Sequence, residues 1–418
     1  MKFIPDIVFL HADETAILWS LRRSAASGPH YSLADLSKLD GRVDAHLDGL
    51  RIAGDEGWRF SDELLSANEE GKVFAAGVIA IESARLERIS KVLSVVEQEP
   101  KTMNGLVSAL GWISAGQAAR QIEGLLRSAK PIHQQIGIAS AAIHRCHPGT
   151  QLVRLISSEN ADVRARAMKA AGEMGAREVM QDILLSVNDD DENCVFAAAW
   201  SGTLLGLPAC AAVLFSIAES RSPNSPAAAD LALRRMDIPS AIAWHAKLVA
   251  DQARMRLAIR SAGAIGDPSL ILWLISLMDQ LPLARLAGES FTTITGVDLS
   301  YRDLERKPPE DYNAGPTEDP ADDNVEMDPD DNLPWPEPAL VQKWWDANRD
   351  RFRNGTRYLL GNPITDDWLK IVLRDGRQRQ RAAAALEIAL RNPGQPLFNV
   401  KAPGFRQQQL LGKGEVIR

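Results

Sequence analysis

ARAMKAAGEMGAREVMQDILLSV, from Ala165 to Val187, and RLAIRSAGAIGDPSLILWLISLM, from Arg256 to Met278, decide the fold class because they share one layout. Each reads as helix, tight turn, helix, with Gly172 and Gly175 of the first matched by Gly263 and Gly266 of the second. Between them FAAAWSGTLLGLPACAAVLFSI repeats the theme with Gly202 and Gly206, its turn one residue longer. Carried up and down the chain, the register puts small residues near Gly77, Gly111, Ala142, Gly172, Gly202, Ala232, Gly263 and Gly296. The step is about 30 residues, enough for two helices of roughly three turns and two short connections. Small side chains in the first helix of each pair permit close approach, and Leu, Ile, Val and Met in the second supply a continuous core. Ala, Leu, Met, Glu and Arg favour helix, and no run of alternating β-branched residues suggests a sheet. A βαβ enzyme would need strands before its glycines, whereas AAGEMG and SAGAIG lie between helices and match neither GxGxxG nor a P-loop. The alternative is an irregular all-α domain whose similarities come from Ala-rich composition. Recurrence of the Gly pairs in both phase and flanking pattern favours repeats.

Outward from these stretches the chain divides into four segments. Residues 1–71 read as a helical N-terminal cap. There Leu33, Leu36, Leu39, Val43, Leu47 and Leu50 recur at intervals of three and four, Ser32 is placed to cap that helix, and Gly54 and Gly57 can end it. Residues 72–299 read as a HEAT-like helical-repeat solenoid, which needs such a cap because its last repeat would otherwise expose an apolar face. Residues 300–334 form an acidic Pro/Asp-rich loop, of which the segment from Glu310 to Asp331 is expected to be mobile without a partner. Residues 335–418 form an appended C-terminal helical region, in which LPWPEPALVQKWWDANRDRFRNGTRYLLG resumes helix and RQRQRAAAALEIALRNPG ends at Asn392, Pro393 and Gly394. The last stretch, LFNVKAPGFRQQQLLG, is expected to pack back as irregular chain and a short helix.

Composition fits a folded, soluble chain: of 418 residues, 45% are hydrophobic and 24% charged. Three cysteines, Cys146, Cys194 and Cys210, are too few to staple this length and have no zinc-ribbon spacing. The opening lacks the basic region and long apolar core of an export signal, and no stretch has about 18 consecutive apolar residues, so a cytoplasmic location is expected. The net charge of -8 hides an asymmetry. Ten acidic side chains and no Lys or Arg lie between Glu310 and Asp331, whereas Val341 to Arg418 holds 15 basic and seven acidic residues. Such segments can attract one another or face different partners.

Catalytic and cofactor chemistry finds little support. His144, Cys146 and His147 form the densest metal-capable cluster, but 146 points away from the helical face shared by 144 and 147, and no fourth ligand follows. His11, Asp13 and Glu14 invite comparison with di-iron HEAT-repeat hydroxylases, yet the chain contains no His-Glu dipeptide. His30 and His46 are expected to orient the N-terminal cap. Arg164 and Arg166, Arg254, Arg256 and Arg260, and Arg377, Arg379 and Arg381 could line helix faces for phosphate contacts, but the acidic segment opposes that potential. Ser201 and Ser261 lie in helical repeats rather than in a nucleophile elbow. The expectation is a non-enzyme with no catalytic residue, metal or cofactor.

RLAGESFTTITGVDL, LPWP, the Trp344–Trp345 pair, RYLLG and DGRQRQRAAAALEIAL together resemble a bacterial family of HEAT-like-repeat proteins encoded beside type VI secretion components. PHYSLADLSKLDGRVDAHLDGLRIAGDEGW looks like that family's N-terminal signature, so the resemblance spans nearly the whole chain. It brings no catalytic residue with it. It implies a role in loading, stabilising or adapting a secreted effector or spike component. The expected function is therefore a protein-interaction scaffold, an adaptor or accessory factor for type VI effector delivery, with a protein partner and no membrane insertion. The alternatives are an enzyme or cofactor-binding repeat protein, and a nucleic-acid-binding solenoid. Trp335, Trp344 and Trp345, with Arg379 and Arg381, are the candidate structural junction and interaction site, the arginines pairing with acidic groups of the loop or of a partner.

Overall fold

The computed structural model describes residues 3–310, 312, 314–315 and 327–412. Among these the chain is all-α, with one two-stranded hairpin. The N-terminal helices are α1 (Pro5–Ala25), α2 (Leu33–Ala53) and α3 (Asp55–Leu64). Then come α4 (Glu70–Glu82), α5 (Leu86–Gln98), α6 (Met103–Trp112), α7 (Ala115–Arg127), α8 (Pro131–His144), α9 (Thr150–Ile156), α10 (Ala161–Met174), α11 (Met180–Ser186) and α12 (Glu192–Leu204). α13 (Pro208–Glu219), α14 (Ser225–Arg235), α15 (Ile238–Val249), α16 (Met255–Ile265), α17 (Ile271–Ser276) and α18 (Leu281–Thr295) follow. The remainder is α19 (Pro338–Asn348), the hairpin β1 (Tyr358–Leu359) and β2 (Asn362–Pro363), α20 (Asp366–Asp375), α21 (Gln378–Arg391) and α22 (Gly404–Gly412). No described helix is long and apolar enough to cross a membrane. The chain forms two compact units, residues 1–214 with 373–418 and residues 215–372.

In the first unit α4, α6, α8, α10 and α12 pack each against the next, while α5 lies on α4, α7 on α8, α9 on α10 and α11 on α12. The first helices begin at Glu70, Met103, Pro131, Ala161 and Glu192, a step of about 30 residues. Their side chains build one buried apolar cluster from Val8 to Cys210. The two glycines of each matched pair do different work. Gly172 faces Ser201 so closely that an added Cβ would lie 2.6–2.8 Å from it. Gly175 ends α10 in the left-handed region at φ 70°, where only glycine is free of strain. α2 begins with the Ser32–Asp35 capping box and ends at Gly54, while Gly57 belongs to α3, where a Cβ would strike the Leu50 carbonyl. The C-terminal chain returns to this unit: α22 packs on α2, Gln378 N donates to the Tyr31 carbonyl, and Leu397 N donates to that of Glu173.

In the second unit α14, α16 and α18 pack in sequence, with α15 on α16 and α17 on α18. RYLLG is not helical, as the sequence suggested, but the hairpin of Arg357 to Pro363, turned by Leu360 and Gly361 at positive φ. It satisfies carbonyls at helix ends: Tyr358 N donates to Gly266 O and Leu360 N to Thr293 O, both at 2.8 Å, while Arg357 donates to Leu233 and Met236. The flanks of the acidic loop are joined, Arg306 N to Trp335 O and Glu337 N to Leu304 O. Much of the segment expected to be mobile lies outside the described residues, but its far end is anchored. Asp330 accepts from Arg256 at 2.6 and 2.8 Å, and Asp328 pairs with Arg285.

Candidate functional site

The first unit holds a cleft of about 420 Å³, a volume suited to a small ligand or a few side chains. The C-terminal half of α1 supplies Trp19, Arg22 and Arg23; α6 supplies Asn104, Ser108 and Trp112. Arg145 stands just past α8, Arg166 and Glu173 share one face of α10, and the irregular chain before α22 adds Asn399 and Lys401. Five cationic side chains thus line a cleft with one carboxylate.

Several of these charges hold the fold. Arg22 donates to Asp40 at 2.7 Å and to the carbonyls of Lys401 and Ala402 at 2.8 Å, tying the returning chain to the N-terminal helices. Arg23 pairs with Glu70. Arg145 ends α8 at φ 55°, unusual for a residue with a side chain. Its guanidinium donates to Leu397 O at 2.6 and 2.8 Å and curls back onto Ala142 O, so it meets carbonyls rather than a carboxylate.

The electrostatics centre on α10. Arg166 donates through Nη2 to Glu173 at 2.9 Å, while its Nη1 is shielded from solvent and meets no acceptor among the described residues. Burial works against the Glu173 carboxylate, but Arg166, Arg145 and Lys169 outweigh it and hold its pKa below the usual range. Lys169, half-buried one turn from both, points its ammonium at Trp200, 3.1 Å from the ring centroid, with Phe196 at 5.3 Å. Burial pushes the Lys169 pKa down to about 7; Glu173 opposes this, and Arg166 and Lys401 reinforce it.

The structure distributes the residues selected from sequence between the two units. Trp335, Trp344 and Trp345 lie in the second, Arg379 and Arg381 in the first. Trp335 is buried between Tyr312 and the Arg285 guanidinium, which stands 4.6 Å from its ring. Trp344 meets Phe291 edge-on, and Trp345 is buried against Phe352. Arg381 is fully buried without an acidic partner among the described residues: Nε donates to Leu373 O at 2.7 Å, Nη2 to Gln407 at 2.6 Å, and Nη1 to Gln378. The bonds of Arg379 include one from Nε to Ser27 O at 3.0 Å. The acidic groups of the loop meet Arg256 and Arg285 instead.

The other singled-out groups are also accounted for locally. His144 Nε2 bonds Leu110 O at 2.8 Å, His147 faces Glu178, and Cys146 is exposed. Arg164 pairs with Asp189 at 2.9 Å, Arg254 caps the carbonyls of Ala218 and Glu219, and Ser201 donates to Met168 O. Sequence reasoning did not foresee the pairing of His11 with His46, Nδ1 to Nδ1 at 3.2 Å. Burial, and then His11, lowers the His46 pKa. Nor did it pick out Arg145, Lys169, Glu173 and Lys401. The Arg166–Lys169–Glu173 spacing is a legible helical face, but Arg145 and Lys401 join it from far along the chain.

α1 carries a second feature, on the face turned away from the core. Its buried side presents Val8, Ala12, Thr15, Trp19 and Arg22. The opposite side leaves Ile7, Leu10, Ile17 and Leu21 at 48, 51, 46 and 53% exposure, with half-buried Glu14 between them. The spacing 7, 10, 14, 17, 21 alternates three and four, the pattern of a helix that packs along another helix. No protein-family model matches the chain, and no curated protein matches it.

Proposed function

We propose that this chain is a non-enzymatic protein-interaction scaffold, a HEAT-like solenoid whose first helix takes an amphipathic helix of a partner protein. The observation that carries this reading is the exposed stripe of Ile7, Leu10, Ile17 and Leu21 on α1, with half-buried Glu14 at its middle. A helix apolar on two opposite faces is normally covered on both. Burying the exposed half of each of the four aliphatic side chains contributes about 1 kcal/mol, so together they supply roughly 4 kcal/mol. Glu14 selects the occupant. With a second copy of this helix in register, parallel or antiparallel, Glu14 would face Glu14 across an apolar seam, which is destabilising. A partner helix with Lys or Arg opposite Glu14 meets both the apolar pattern and the charge.

The resemblance to proteins encoded beside type VI secretion components supplies the pathway for this reading. The chain would act in the cytoplasm as an adaptor or accessory factor, and the partner helix would belong to a spike component or an effector. A photo-crosslinking amino acid at Leu10, in the full-length protein expressed in its native bacterium under secretion-active conditions, tests it. The expected adduct joins Leu10 to a helix of a spike component or effector and disappears when Ile17→Asp is added. An adduct to a second copy of the chain, or none under these conditions, overturns the reading. The charged cleft favours a different activity, ligand binding.

A further inference from the structure

We propose that the cleft between α1, α6, α8 and α10 binds an oxyanion, a phosphate or carboxylate group, held by Arg166, Arg145 and Lys401. The inference does not depend on the partner-helix reading, since it concerns other residues and another kind of ligand.

The charge balance of the cleft is the first argument. Arg22 and Arg23 are matched by Asp40 and Glu70, so neither contributes an excess. Around α10, Arg145, Arg166, Lys169 and Lys401 share one carboxylate, Glu173. Lys401 is exposed and has no carboxylate partner among the described residues, while Arg145 places three of its five N–H donors on backbone carbonyls and meets no carboxylate there, so its charge and two donors remain for a ligand. Cations gathered in a partly desolvated recess repel one another, and an anion relieves that repulsion.

Unused donor capacity is the second argument. A guanidinium carries five N–H donors in a planar fork that matches a carboxylate or phosphate edge. Arg166 commits Nη2 to Glu173, while Nη1 is removed from water with no acceptor among the described residues. A buried donor without a partner is costly, and such groups occur where a ligand completes them. The Arg166–Glu173 pair is thus an occupied half-site, the carboxylate holding the position next to which a ligand oxyanion would bind.

Rigidity is the third argument. The Arg145 guanidinium is tied to the Leu397 and Ala142 carbonyls, Arg166 and Glu173 rise from one helix, and the Lys401 backbone is fixed through Arg22. The charges are therefore set before any ligand arrives, which lowers the entropic cost of binding. Lys169 acts from behind: its ammonium lies against Trp200, and an anion nearby favours its protonated form.

Titration calorimetry of the full-length protein with pyrophosphate and with citrate, against sodium chloride at equal ionic strength, tests the proposal. Saturable binding of at least one anion is expected, and the tighter of the two identifies phosphate or carboxylate as the preferred group. Lys401→Gln and Arg166→Gln are each expected to weaken binding about tenfold. Glu173→Gln removes the competing carboxylate and is expected to tighten it about tenfold, a direction that a purely structural role would not give. At pH 7.5 binding is expected to take up a proton, seen as different heats in buffers of different ionisation enthalpy and abolished in Lys169→Met, which keeps the packing on Trp200. No saturable heat beyond the chloride control overturns the proposal, as does unchanged affinity in folded Lys401→Gln and Arg166→Gln proteins or weaker binding by a folded Glu173→Gln protein.

Discussion

Arg381 shows how a single residue can mislead a sequence reading. In RQRQRAAAALEIAL it looks like one of several surface arginines, yet it is completely buried and spends its donors on Leu373 O, Gln378 and Gln407. Burial lowers its pKa to about 10. The Arg381→Met protein would leave these three buried acceptors without a donor, and a loss of about 3 kcal/mol is expected in denaturant melts. Arg379→Gln, at a half-exposed position, is expected to cost about 1 kcal/mol or less. Equal effects of the two would contradict this structural role of Arg381. His245 gives a pH signature. Its ring is buried against Trp273 and bonds Ala258 O, and burial drives its pKa to about 4 despite that bond. The unfolded chain, with the ordinary value near 6.5, binds the proton first. Stability is therefore full above about pH 6.5 and is lost as pH falls toward 4, by up to roughly 3 kcal/mol. Melts from pH 7 to 4 are expected to show this loss in the wild type and a smaller one in His245→Gln; parallel curves would contradict it. Neither residue announces its burial, because the groups that enclose it come from neighbouring elements packed over it, Leu373 and Gln407 for Arg381 and Ala258 and Trp273 for His245.

At the scale of elements, legibility followed locality. The α2 stripe, its Ser32 cap and the glycine pairs are short-range patterns, and the structure has them where the spacing put them. The glycine pairs also allow a graded prediction. Gly172 lies against the backbone and side chain of Ser201, whereas a Cβ at Gly263 would meet Ser290 only at 3.3 Å or beyond. Gly172→Ala is expected to cost about 2 kcal/mol through overpacking. Gly263→Ala is expected to be within about 1 kcal/mol of neutral, since the gain in helix propensity offsets the mild crowding. Equal melting temperatures for the two variants would contradict this packing account. RYLLG was misread as helix because its deciding contacts, to Gly266, Thr293 and Leu233, are made with helix ends that precede it by more than 60 residues.

Across the whole molecule, chain order and spatial neighbourhood part company. Residues 373–418 belong to the same compact unit as residues 1–214, and the cleft joins Arg22, Arg145, Arg166 and Lys401 across almost the full sequence. No local motif encodes such a site, which is why the sequence supplied the repeats but not the cleft. The α1 stripe was legible in principle: Ile7, Leu10, Ile17 and Leu21 are plain in the sequence, but only the structure shows that Val8, Ala12 and Trp19 face the core and leave the other side exposed. Binding of two synthetic amphipathic helices to the full-length protein tests the scaffold reading most directly. Both carry leucines at alternating three- and four-residue spacing; one has Lys and the other Glu at the position opposite Glu14. The account predicts that the Lys peptide binds at least tenfold more tightly, that Glu14→Lys reverses the preference, and that Ile17→Asp abolishes both interactions. Equal affinity for the two peptides, or binding untouched by Ile17→Asp, would contradict it.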